Sequence, residues 1–137
     1  MPVAFLDTNI ILRYLTRDDA AKADRCLDLL RRAASGKIEL VTSDLVIGEV
    51  AWNLLAPTNY GLSKRDVRDK LLPLLTLPGL HVPSRDAFVE ALDLFIETNI
   101  DFTDAFNAAT MAQHGITDIY SYDRDFDRLG DVRRIEP

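Results

Sequence analysis

The stretch Val3-Ala4-Phe5-Leu6-Asp7-Thr8-Asn9-Ile10-Ile11-Leu12 changes its hydrophobic period halfway along. Its first part is a continuous apolar run, the pattern of a strand buried on both faces. Its second part, with Leu15 beyond it, has apolar residues at helical spacing. Asp7 stands at the junction, where a strand ends and a helix begins. The same alternation continues downstream. Residues 38–42 read as a second strand, followed by a helix that Ser43 or Asp44 caps and that ends near Ala56, before Pro57. Residues 80–82 read as a short third strand stopped by Pro83, and 119–122 and 132–135 as two more. Between them, Asp18 is expected to cap a helix with Ala23, Leu27, Leu30 and Ala34 on one stripe, closed by Gly36. Ser63, with Asp66 three residues on, opens a helix carrying Val67, Leu71, Leu74 and Leu75. Ser84 caps one with Phe88, Leu92 and Phe95 on a face, and Asp101 or Thr103 caps the next, which ends at Gly115. This order predicts an α/β fold: one domain over residues 1–137, with a central, mostly parallel sheet flanked by helices on both faces.

Bulk properties narrow the function. A chain of 137 residues, 47% hydrophobic and 28% charged, has the size and composition of one globular domain with a core. No apolar run is long enough to span a bilayer. The start lacks a basic segment and soon meets Asp7, so it reads as a strand rather than a leader peptide. Cys26 is the only cysteine, which excludes an intrachain disulfide and fits a cytoplasmic location. The net charge of −6 argues against a general nucleic-acid binder, because phosphate contacts supply most non-specific affinity. It leaves room for an enzyme whose site acids contribute part of that charge, with phosphates met by local arginines such as Arg13, Arg17 or Arg124.

Four acids define the candidate site. Asp7 and Asp123 follow strands, Asp104 lies in the first turn of a helix, and Glu49 lies within two turns of a helix start. In right-handed βαβ units each helix begins at the carboxyl edge of the sheet, where open α/β sheets place their sites. Clustered carboxylates stay ionised together only beside a cation. An all-oxygen set without histidine or cysteine favours Mg²⁺ or Mn²⁺. Asp7 and Asp104 are the expected direct ligands. Glu49 and Asp123 are expected to bind through water, to hold a second ion or to orient an attacking water, an arrangement suited to phosphodiester hydrolysis. Each acid also has a structural alternative. Asp7 could cap a helix, though Thr8 could do so instead; Asp104 could complement the helix dipole, though Asp101 serves that terminus. Glu49 has the apolar neighbours Val46, Ile47, Val50 and Trp52, which makes solvent a poor explanation for it. Asp123 lies with Asp125 and Asp127 in a turn-rich stretch, and Asp125 is read as structural.

Phe5-Leu6-Asp7-Thr8-Asn9-Ile10-Ile11-Leu12-Arg13-Tyr14 resembles the opening of PIN-domain ribonucleases, above all VapC-type toxins of toxin–antitoxin pairs. Ser43 to Val50, Asp101 to Ala109 and Ser121 to Phe126 resemble the same family, in order and over nearly the whole chain. The resemblance implies a PIN-like domain and Mg²⁺- or Mn²⁺-dependent endonucleolytic cleavage of RNA, often tRNA or rRNA. It implies a homodimer inhibited by a small cognate antitoxin protein, with DNA met only through that antitoxin. Asp7, Glu49, Asp104 and Asp123 match the family's acidic positions. Ser121 departs from the threonine of many relatives but keeps the hydroxyl, and Phe106 and Asn107 stand where aliphatic residues are frequent.

Two other classes compete. An aspartyl-phosphate phosphatase would use Asp7 as nucleophile, but it would carry an acid where Asn9 stands and a late lysine, and no lysine follows Lys70. A non-catalytic binding module would have no need for all four acids.

Overall fold

The computed structural model describes residues 2–137. The chain divides into two compact units, the first running through Arg85 and the second spanning Asp86–Pro137. In the first, β1 (Val3–Phe5), β2 (Glu39–Val41) and β3 (Leu80–His81) form a sheet in that order, with both pairings parallel. Val3 stands opposite Glu39, and Leu40 opposite Leu80. The crossovers are helical: α1 (Thr8–Thr16) and α2 (Ala20–Ala34) lead from β1 to β2, and α3 (Asp44–Leu55) and α4 (Lys64–Leu75) from β2 to β3. α1 packs on α2 and α3, and α3 on α4.

Local chemistry sets these boundaries. Ser43 caps α3 by accepting the Val46 N–H at 3.2 Å, and Ser63 caps α4 by accepting that of Asp66 at 3.1 Å. The expected cap of α2 is displaced by one residue. Asp19, not Asp18, accepts the Lys22 N–H, because Asp18 is held by Arg13 at 3.0 Å and by the Tyr60 hydroxyl at 3.1 Å. The buried stripe of α2 is accordingly Ala23, Cys26, Leu30 and Ala33. Asp44 does not cap α3. Its carboxylate accepts the backbone N–H of Ser84 at 2.9 Å and the Ser84 hydroxyl, tying the start of α3 to the segment after β3. Ser84 immediately precedes the next helix, and this bond fixes its hydroxyl proton on Asp44. Gly79 has a φ of 85°, and a Cβ there would overlap the carbonyl oxygen of Ala33, so the turn into β3 accepts only glycine.

Leu6, Ile11, Leu40, Ile47, Leu54, Leu71 and Leu75 are fully buried and form the core of this unit. Each aliphatic side chain of this kind contributes roughly 1.5–3 kcal/mol on burial. Val3 and Phe5 depart from the expected two-sided burial, at 62% and 60% exposed.

The second unit holds α5 (Arg85–Glu97, from Asp86 onward), α6 (Phe102–Gln113), β4 (Asp118–Tyr120), a 3₁₀ turn (Arg124–Arg128) and β5 (Arg133–Ile135). β4 and β5 pair in parallel, Asp118 with Arg133 through Tyr120 with Ile135. Aromatic stacking joins α5 to α6. Phe88 lies 4.2 Å from Phe106 and 6.1 Å from Phe102, and Phe95 meets Phe102 edge-on at 5.4 Å between centroids. Every strand pairing described is parallel, so the α/β class holds; the strands form a three-stranded and a two-stranded sheet. Among the described residues no helix is long and apolar enough to cross a membrane.

Candidate metal centre

In the second unit, a turn and a helix start bring three carboxylates together. Asp101 occupies the N-cap position of α6 with extended backbone, yet its side chain makes no capping hydrogen bond. Asp104 follows in the first turn, half-buried. After β4 the chain bends through a pair of short-range bonds. The Ser121 hydroxyl accepts the Asp123 N–H at 3.0 Å, and the Asp123 carboxylate accepts the Asp125 N–H at 2.9 Å. The turn chemistry weighed against a functional Asp123 is therefore present. It also aims the side chain, because carboxylate oxygens of Asp104, Asp123 and Asp125 all lie within 4.8 Å of one another. Asp104 and Asp123 are thus brought together as the sequence suggested. Asp125, read there as structural, joins them, while Arg128 approaches it at 3.5 Å. Its two-residue spacing from Asp123 was the available signal, masked by the frequency of aspartate in turns.

The electrostatics of this group are those of an anion cluster short of positive charge. Burial pushes the Asp104 carboxyl above its ordinary value, and the negative charges of Asp123 and Asp101, a hydrogen bond with Asp123 and the charge of Asp125 push it further. Oxygen-only donors at this separation, with one proton affinity already raised by burial and by mutual repulsion, fit a hard divalent cation. Neither histidine nor Cys26 belongs to such a group among the described residues.

In the first unit, Asp7 takes the N-cap position of α1 with φ −87° and ψ 160°, but its side chain makes no capping bond. Its carboxylate is exposed and unused by the helix end, which disposes of the capping alternative. Thr8 does not cap either. It is the first residue of α1, 5% exposed, and its hydroxyl donates to Oε2 of Glu49 at 3.2 Å. The residue after Asp7 therefore fixes Glu49. Glu49 itself is exposed, against the expectation drawn from its apolar neighbours. Helical spacing accounts for the difference. Val46, Ile47, Val50 and Leu54 face the core, whereas Leu45, Glu49 and Trp52 share the outer face, with Leu45 82% and Trp52 63% exposed. The arginines nearest Asp7 in sequence are engaged: Arg13 with Asp18 at 3.0 Å and Arg17 with Asp24 at 2.7 Å. Their ion-pair reading is the one realised.

A PIN-domain family profile matches residues 4–132. No curated protein sequence matches. Two solved structures resemble the chain loosely. One is the sarcin–ricin-loop-cleaving toxin VapC20 of Mycobacterium tuberculosis, 23% identical over 98% of this chain and 99% of that one, with a TM-score of 0.38. The other is VapBC2 from Rickettsia felis bound to a promoter DNA fragment, 16% identical over 98% of both chains, with a TM-score of 0.39. Likeness at that level carries no argument about function; the profile match, which spans nearly the whole sequence, does carry the family. The chain belongs to the PIN-domain family.

Proposed function

We propose that this protein is a Mg²⁺- or Mn²⁺-dependent endoribonuclease, the toxin of a VapC-type toxin–antitoxin pair, acting as a single domain over residues 1–137. The catalytic acids are Asp7, Glu49, Asp104 and Asp123. The observation that supports this most is the meeting of the Asp104, Asp123 and Asp125 carboxylates, with Asp104 driven toward its protonated form. A structural acid gains nothing from that placement, whereas a cation ligand does. Membership in the PIN-domain family supports the nuclease class.

The roles follow from the chemistry of each side chain. Asp7, Asp104 and Asp123 would hold the ion, and Asp125 is positioned to supplement them. When bound, the cation neutralises charge on the phosphoryl oxygens and makes water more acidic. Glu49, oriented by the Thr8 hydroxyl, aligns the attacking water and accepts its proton. In-line attack forms the new P–O bond, and the bond to the 3′-oxygen breaks. That oxygen leaves with a proton from solvent, giving 5′-phosphate and 3′-hydroxyl ends. The resemblance of the motifs around Asp7, Glu49, Asp104 and Asp123 to those of VapC toxins supplies the remaining parts of the proposal: a cytoplasmic homodimer restrained by a small antitoxin, touching DNA only through that antitoxin, and acting on tRNA or rRNA.

Incubating the purified chain with total RNA and Mg²⁺ or Mn²⁺, then mapping new 5′ ends, tests the reading. Discrete new 5′-phosphate ends that vanish with chelator support it. An RNA population unchanged at millimolar metal overturns it.

A further inference from the structure

α1 and α2 enclose a cleft of about 500 Å³, lined by Asn9, Ile10 and Arg13 from α1 and by Lys22, Arg25, Cys26 and Leu29 from α2. The α2 residues follow the i, i+3, i+4, i+7 pattern of one helix face. Three cations and no acid line the cleft, in a chain whose net charge is −6. Arg13 is held by Asp18, but Lys22 and Arg25 enter no ion pair among the described residues. Two cations outside any ion pair, on an exposed apolar-floored cleft, are a local positive feature of the kind that the bulk charge demands of an RNA-binding surface here.

The cleft also has a position. Asn9 lies in the first turn of the helix that Asp7 precedes, and Arg13 roughly 9 Å along the α1 axis from Asp7. An RNA strand whose scissile phosphate is presented to Asp7 would run its neighbouring nucleotides along this helix. Ile10 and Leu29 give the sugar and base a non-selective apolar floor, and the basic side chains meet the backbone.

We infer that the cleft between α1 and α2 is a flanking subsite for single-stranded RNA, in which Lys22 and Arg25 bind backbone phosphates next to the cleaved bond. The inference rests on the nuclease reading above and adds the surface that holds its substrate. Its chemistry is phosphate recognition with an apolar floor, so affinity depends on salt and little on sequence.

The test is fluorescence titration of a labelled single-stranded RNA with the full chain in Ca²⁺, between about 50 and 200 mM salt. Lys22→Ala/Arg25→Ala is expected to weaken binding several-fold. It is also expected to flatten the plot of log affinity against log salt by roughly 1.4, the value for two lost single-strand phosphate contacts. Lys22→Arg/Arg25→Lys is expected to keep the wild-type slope, which separates charge from any packing role. An unchanged slope in the alanine variant overturns the inference. So does an acidic peptide that binds wild type and not the variant while RNA binds both alike, since that makes the occupant a protein. A chain that binds RNA with the full salt slope yet never cuts it would defeat the nuclease reading and leave this subsite standing.

Discussion

Replacing Asp104 by asparagine separates a metal-binding acid from a structural one, because the two readings predict opposite changes in stability. Its carboxylate lies within 4.8 Å of those of Asp123 and Asp125. Two unit charges at that distance repel by about 0.9 kcal/mol in a water-like dielectric, and by about four times that at the intermediate values near a protein surface. Asp104 is only half-buried, so the lower figure applies. Asp104→Asn relieves two such repulsions and gives up about 0.5 kcal/mol of interaction between a first-turn acid and the helix N-terminus. The metal-free variant should therefore be more stable than wild type by about 1 kcal/mol at neutral pH and low salt, or about 4 °C in Tm. The pH dependence has a definite sign. Asp104 is raised above its usual 3.8, so in the folded state it holds its proton to higher pH than in the unfolded chain. Its stabilising contribution is complete below that usual value and is lost as pH rises through the raised one. The difference in stability between variant and wild type should grow across that window. Calorimetry in chelator and in Mg²⁺ measures both effects: Mg²⁺ should raise the Tm of wild type and leave the variant nearly unmoved. A variant less stable than wild type in chelator, or an equal Mg²⁺ response in both, would refute the reasoning.

Other substitutions test the framework and the second pair of acids. Ser43→Ala removes the side chain that caps α3 and should cost about 1 kcal/mol, read as a lower urea midpoint at unchanged slope. Gly79→Ala combines a positive φ with overlap on Ala33 and should cost more than about 2 kcal/mol in the same urea titration. Thr8→Val keeps the shape but removes the donor to Glu49; RNA cleavage should fall about tenfold, equivalent to about 1.4 kcal/mol, and unchanged cleavage would remove Thr8 from the site.

Much of this was legible because the signals were local. The junction at Asp7, the caps at Ser43 and Ser63 and the stop at Gly36 are properties of a few adjacent residues, and the structure places them as the pattern indicates. Errors arose where a side chain had a distant competitor. Asp18 and Asp44 had the chemistry of caps, but Arg13 and Tyr60 engage the first and Ser84 the second, across gaps that adjacent residues do not reveal. Glu49 shows the limit of composition. Apolar neighbours in sequence suggested burial, yet the helical period turned Glu49 outward while Val46 and Val50 turned in. The pairing of Asp104 with Asp123 followed from topology, but the entry of Asp125 depended on the exact path of a turn held by Ser121 and Asp123. The partners of Arg13 and Arg17 were equally beyond reach, since either arginine could have faced solvent, phosphate or acid.

The most direct measurement is single-turnover cleavage of a defined RNA, comparing wild type with Asp7→Asn, Glu49→Gln, Asp104→Asn and Asp123→Asn in Mg²⁺ and in chelator. The carboxylate-and-cation reading predicts cleavage by wild type in Mg²⁺ alone, products bearing 5′-phosphates, and a loss of at least about a hundredfold in each variant. Cleavage that survives excess chelator, or that persists at the wild-type rate in the Asp104→Asn and Asp123→Asn variants, would contradict it.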